Sequence, residues 1–128
     1  MRKAFLQYLG RRGLLKDHQI DEVRRCLRTA PEPMGSIALS YGMLNCDDID
    51  SILDEQRSSH DPFGEIAIRR GLLTRSQVES LLHVQQMRAA SEVAETLILS
   101  GIAPSAEVIE NLGAFLTQPA GLTLCADG

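Results

Sequence analysis

Ser58-Ser59-His60-Asp61 brings a hydroxyl, an imidazole and a carboxylate together, the group types of nucleophilic hydrolysis. A working triad draws those groups from separate parts of the chain, so consecutive residues cannot converge, and the stretch reads as a polar loop between helices. His18 and His83 have no His or Cys four positions on, which argues against a metal pair. Asp47, Asp48, Asp50, Asp54 and Glu55 lack the glycine and terminal bidentate glutamate of a calcium loop, and read as an acidic, solvated helix face. Cys26, Cys46 and Cys125 are odd in number and nowhere spaced Cys-x-x-Cys, so neither a disulfide framework nor a metal site is expected. Cys26 and Cys46 read as half-buried helix residues. No Gly-x-x-x-x-Gly-Lys-Ser/Thr loop is present, so no nucleotide hydrolysis is available in this chain. The residues left with binding chemistry are Gly35 and Gly64, in Pro33-Met34-Gly35 and Pro62-Phe63-Gly64. A glycine in the first turn of a helix admits another group close to free backbone N–H donors. Two such starts could hold a phosphate-bearing ligand; equally, each glycine could let two helices pack closely.

The elements that would position these residues follow from an internal repeat. Gly13, Gly42, Gly71 and Gly101 are 29, 29 and 30 residues apart. Eight positions before each stands Phe5, Met34, Phe63 or Val93, and directly after each comes Leu14, Met43, Leu72 or Ile102. Seven positions after each stands a β-branched residue: Ile20, Ile49, Val78, Val108. A fixed period means one supersecondary unit copied. In residues 33–56, Met34, Ile37, Ala38 and Tyr41 mark one face of a short helix, and Gly42 ends it. Asn45, with Asp48 behind it, then caps a second helix bearing Ile49, Ile52 and Leu53. In the next copy Thr74 and Gln77 form a capping box ahead of Val78, Leu81 and Leu82. Pro104 is expected at the first position of the last helix. Nothing alternates with period two, so the expectation is an all-α fold of about eight helices, arranged as tandem helical hairpins. Residues 1–116 would form one domain and 117–128 a loose tail. Valine at Gly42 or Gly71 should hurt twice, by straining a left-handed cap and by displacing the leucine plug behind it.

Composition narrows the function. The absence of tryptophan argues against a surface built to stack bases. Residues 1–31 carry eight Lys/Arg against three Asp/Glu, net +5, which leaves −9 for the remainder of a chain at −4. The basic segment would attract the acidic repeats, a second copy of the chain or an anionic partner, whereas the acidic majority would repel duplex nucleic acid. No apolar run approaches the roughly 20 residues of a membrane span, and no signal-peptide core follows the N-terminus. A cytoplasmic protein is expected.

The two central copies resemble a known family. Met34-Gly35-x-x-Ala38-Leu39-x-x-Gly42-x-Leu44-x(4)-Ile49-x(3)-Leu53-x-x-Gln56 is similar to the motif of the MshEN domain, found at the N-terminus of type II secretion and type IV pilus assembly ATPases. Phe63-Gly64-x-x-Ala67-Ile68-x-x-Gly71-x-Leu73-x(4)-Val78-x(3)-Leu82-x-x-Gln85 repeats it, giving tandem motifs at 33–56 and 62–85. The resemblance implies binding of cyclic di-GMP, shared between the copies. It would engage Gly35, Leu39, Gly42, Leu44, Ile49, Leu53 and Gln56, with counterparts Gly64, Ile68, Gly71, Leu73, Val78, Leu82 and Gln85. The motif arginine, however, is Pro33 in one copy and Pro62 in the other, which removes the cations best suited to guanine edges and phosphates. Arg57, Arg69 and Arg70 are the candidates to replace them in space. The expectation is therefore a non-enzymatic regulatory module acting as an adaptor toward another protein or itself, without a cofactor; the alternative is a cyclic dinucleotide receptor. The chain reads as either a stand-alone module or a fragment of a larger protein.

Overall fold

A computed structural model describes residues 2–27 and 32–118; Cys125 and most of the expected tail lie outside them. Seven helices follow in order, with no strand among the described residues: α1 (Arg2–Arg11), α2 (Asp17–Cys26), α3 (Met34–Ser40), α4 (Cys46–Ser59), α5 (Phe63–Arg69), α6 (Arg75–Leu99) and α7 (Ser105–Thr117). The expected count of eight fails at one place. The second helix of the third copy and the first helix of the fourth run together as α6, 25 residues long. The reason is chemical. Pro33 and Pro62 stand nine residues before Gly42 and Gly71, but the position nine before Gly101 is Glu92. Gln85 through Ala90 contain no breaker, so nothing stops propagation. Between α4 and α5, by contrast, His60 turns left-handed (φ 59°) and Pro62 follows.

All four elbow glycines take positive φ, between 71° and 79°. At each, the following residue closes the helix: the Met43 N–H donates to Ala38 O at 2.9 Å and the Gly42 N–H to Leu39 O at 3.1 Å. Leu72 and Gly71 repeat the pattern on Ala67 and Ile68 at 2.9 and 3.0 Å. This is the paired closure of a Schellman end, which only glycine enters without a Cβ penalty. Two residues beyond each glycine, Leu15, Leu44, Leu73 and Ala103 are buried. A Cβ at Gly42 or Gly71 would meet nothing within 4 Å. For a single added carbon, space is therefore not what resists substitution; the left-handed backbone is. Gly42→Ala or Gly71→Ala should lower stability by about 1–2 kcal/mol, measurable by urea denaturation, with Gly→Asn losing less because asparagine tolerates this conformation.

The helix starts follow the side-chain chemistry. The Asp48 N–H donates to Asn45 Oδ1 at 2.8 Å, and the Asn45 N–H to Asp48 Oδ2 at 3.2 Å. Gln77 and Thr74 make the same reciprocal pair at 3.1 and 2.9 Å. Pro104 caps α7 one residue ahead of its first turn rather than opening it. Cys26 and Cys46 are exposed, not half-buried, because each sits at a helix terminus away from the packed face.

Packing divides the chain into two compact units. The first comprises the described residues 2–27 and 86–118. Its core joins Phe5, Leu9, Val23, Val93, Leu97 and Val108, all with no exposure. Phe115 packs on this group with its ring tilted, 5.0 Å from Phe5 and 5.3 Å from Tyr8 between ring centroids. Arg2 pairs with Glu92, and the Arg12 guanidinium lies 5.6 Å from the Tyr8 ring. The second unit comprises residues 32–85, with Ile37, Ala38, Ile52, Ile66 and Ala67 fully buried.

In the second unit a charged clasp ties α5 to α4. Glu55 accepts from Arg70 Nε at 2.8 Å and pairs with Arg69, which reaches Asp61 at 3.1 Å. The hydrogen bonds from Arg69, then Arg70, hold the Glu55 carboxyl below its ordinary value of 4.5. A carboxyl depressed by folding stabilises above its unfolded pKa, and that contribution disappears as pH falls through the depressed value. Glu55→Gln should therefore melt below the wild type near neutral pH, and the two melting temperatures should converge once the wild-type carboxyl is protonated. Thermal unfolding followed by circular dichroism at descending pH checks this.

Candidate functional site

A groove of about 590 Å³ lies within the second unit, walled by α3, α4, α5 and the start of α6. Its lining falls into pairs 29 positions apart: Pro33 with Pro62, Met34 with Phe63, Gly35 with Gly64, and Ser36 with Glu65. Cys46 with Arg75, Ile49 with Val78, Asp50 with Glu79, and Leu53 with Leu82 continue the series, and Leu39 and Gln56 complete it.

At Gly35 and Gly64 the walls approach closely. A Cβ on Gly35 would stand 3.1 Å from Phe63 Cζ; one on Gly64 would stand 2.6 Å from Val78 Cγ1 and 3.8 Å from Met34 Sδ. Each glycine thus receives the residue that precedes the other glycine. Close helix packing, one of the two readings open from sequence, accounts for both. The short α3 and α5, seven residues each and preceded by prolines, make poor anion cradles.

The motif glutamines act as ties. Gln56 Nε2 donates to Asp61 O at 3.2 Å, and Gln85 Nε2 donates to Glu32 O at 3.1 Å. Each acceptor is the carbonyl just before a proline, so each glutamine fixes the start of the helix in the other copy.

Of the residues proposed from sequence, Gly35, Leu39, Ile49, Leu53, Gln56, Gly64, Val78 and Leu82 line the groove. The others do not. Gly42 and Gly71 are the helix-ending turns, Leu44 and Leu73 are buried at 4% exposure, and Ile68 packs on the core. Gln85 holds Glu32 outside the lining. These positions build the hairpin and lie outside the lining of the groove. Arg57, Arg69 and Arg70 do not line the groove: Arg57 pairs with Asp54 at 3.0 Å, and the other two belong to the Glu55 clasp.

Sequence reasoning puts Asp50 on a solvated helix face but misses the rim that it forms with Glu65 and Glu79. Asp50 and Glu79 are exposed and have no ion pair among the described residues, while Glu65 lies 3.8 Å from Arg75. The signal was available, since a carboxylate directly follows the β-branched residue in both central copies. Ser58 and Ser59, expected in a loop, form the last turn of α4 because the helix runs until His60 caps it. Ser58 Oγ donates to the Glu55 carbonyl at 3.1 Å, and the Asp61 N–H donates to Ser59 Oγ at 3.3 Å. These hydroxyls serve the helix end. Among the described residues no three His, Cys, Asp or Glu side chains are grouped to hold a metal ion, and no helix is long and apolar enough to cross a membrane. Comparison with known protein families, curated proteins and solved structures returns no match.

Proposed function

We propose that this chain is a non-enzymatic regulatory module that takes a protein partner in the groove of residues 32–85, as an adaptor of the MshEN type. On this reading, residues 33–56 and 62–85 are two copies of one helical hairpin with a 29-residue period, facing each other about a pseudo-two-fold axis. The outer hairpins are drifted copies. The observation that carries the proposal is the lining of the groove by equivalent positions of both motifs. A cytoplasmic setting accompanies it, in keeping with cysteines that have no pairing pattern.

Cyclic di-GMP is the second reading, favoured by the paired lining, which suits a ligand with two equivalent halves. The charges oppose it. Asp50, Glu65 and Glu79 face the groove against Arg75 alone, and phosphates need donors of the opposite sign. Calorimetry with cyclic di-GMP at micromolar protein decides between the two. The adaptor reading expects no heat up to roughly millimolar ligand. A saturating isotherm at micromolar ligand would overturn it in favour of the receptor.

A further inference from the structure

Resting on the partner-binding reading above, we infer that the occupant of the groove is an amphipathic α-helix whose apolar stripe is flanked by lysine or arginine. No strand exists among the described residues, so an extended peptide has no sheet edge to join. The walls are helices, and they present apolar side chains inward from both copies. Leu39 and Leu53 remain 43% and 39% exposed at the mouth, where the leucines of an entering helix would cover them.

Charge selects among such helices. Residues 32–85 hold nine Asp/Glu against four Arg, net −5. All four arginines are already paired: Arg57 with Asp54, Arg69 with Glu55 and Asp61, Arg70 with Glu55, and Arg75 with Glu65. Asp50 and Glu79, one from each copy, are left on the groove without a cation. A helix with basic flanks would meet opposite charge from both copies while its apolar face enters between them. An acidic helix would meet repulsion at the same two positions.

The test titrates the methyl-labelled 128-residue chain with three synthetic peptides of about 18 residues: a leucine-striped helix flanked by lysines, the same helix flanked by glutamates, and a scrambled lysine peptide. Expected are saturable shifts at Leu39, Leu53, Val78 and Leu82 with the lysine helix, weakening as salt rises. That helix should bind at least about tenfold tighter than the glutamate helix or the scramble. Asp50→Lys with Glu79→Lys, both at exposed positions, should reverse the order of the two helices while leaving the melting temperature near wild type. Equal or tighter binding of the glutamate helix in the same groove overturns the basic partner but keeps the groove. Binding of the scramble as tight as the lysine helix overturns the helical occupant. Shifts that map elsewhere for every peptide, or no shifts at all, overturn both the inference and the reading beneath it.

Discussion

Gly64→Val is expected to destabilise the 32–85 unit by about 3 kcal/mol and to deform its groove. The first added carbon would stand 2.6 Å from Val78 Cγ1, well inside contact distance. Val78 is 7% exposed and β-branched on a helix, where one rotamer is strongly preferred, so its side chain has little room to retreat. The smaller change Gly64→Ala gains up to about 1 kcal/mol of helix propensity, yet should still lose overall because the same Cβ makes the same clash. Gly35→Ala is the control. Its Cβ would meet Phe63 Cζ at 3.1 Å, the far end of a ring that can swing aside, so little stability should be lost. Removing the obstacle should rescue the variant. In a Val78→Ala background, Gly64→Ala should cost less than in the wild type, a coupling that a double-mutant cycle from urea denaturation measures. A neutral or stabilising Gly64→Ala in the wild-type background would contradict the close approach.

Phe5→Ala should remove about 3–5 kcal/mol, a large part of the roughly 5–15 kcal/mol that holds a small protein folded. Phe5 has no exposed surface and forms an aromatic trio with Tyr8 and Phe115, its ring centroid 6.5 and 5.0 Å from theirs. Truncation leaves a cavity that the β-branched Val23 and Val93 of the same core cannot fill by changing rotamer. Amide exchange at Leu9, Val23 and Val108 should accelerate by orders of magnitude. Leu99→Ala, at a position 87% exposed, should change stability by less than about 0.5 kcal/mol. If the two substitutions had similar effects, the assignment of this core would fail.

The features that sequence alone disclosed are those governed by a few neighbouring residues. The four elbows were visible because positive φ selects glycine, and the Asn45–Asp48 and Thr74–Gln77 caps because they span a single turn. The fusion into α6 escaped because the fourth copy was read by its spacing, although Glu92 in place of a proline already removed the stop. Spacing does not separate wall from core: it gathers every regularly placed residue, and so joins Leu44 and Leu73, which fill the core, to Leu53 and Leu82, which line the groove. The ties that set the groove's shape were out of reach in principle. Gln85 finds Glu32 across 53 positions, and Phe63 finds Gly35 across the whole of α4 and the connections on either side of it. No local propensity encodes such meetings.

The groove, its paired lining and its proposed occupant all depend on α3 and α5 meeting through exchanged side chains. A carbon-edited NOE spectrum of the labelled protein measures this directly. The account predicts cross-peaks from the Phe63 ring to Gly35 Hα and from the Met34 methyl to Gly64 Hα, both in the same sample. Their joint absence, with Phe63 and Met34 instead showing contacts only within their own helices, would contradict it.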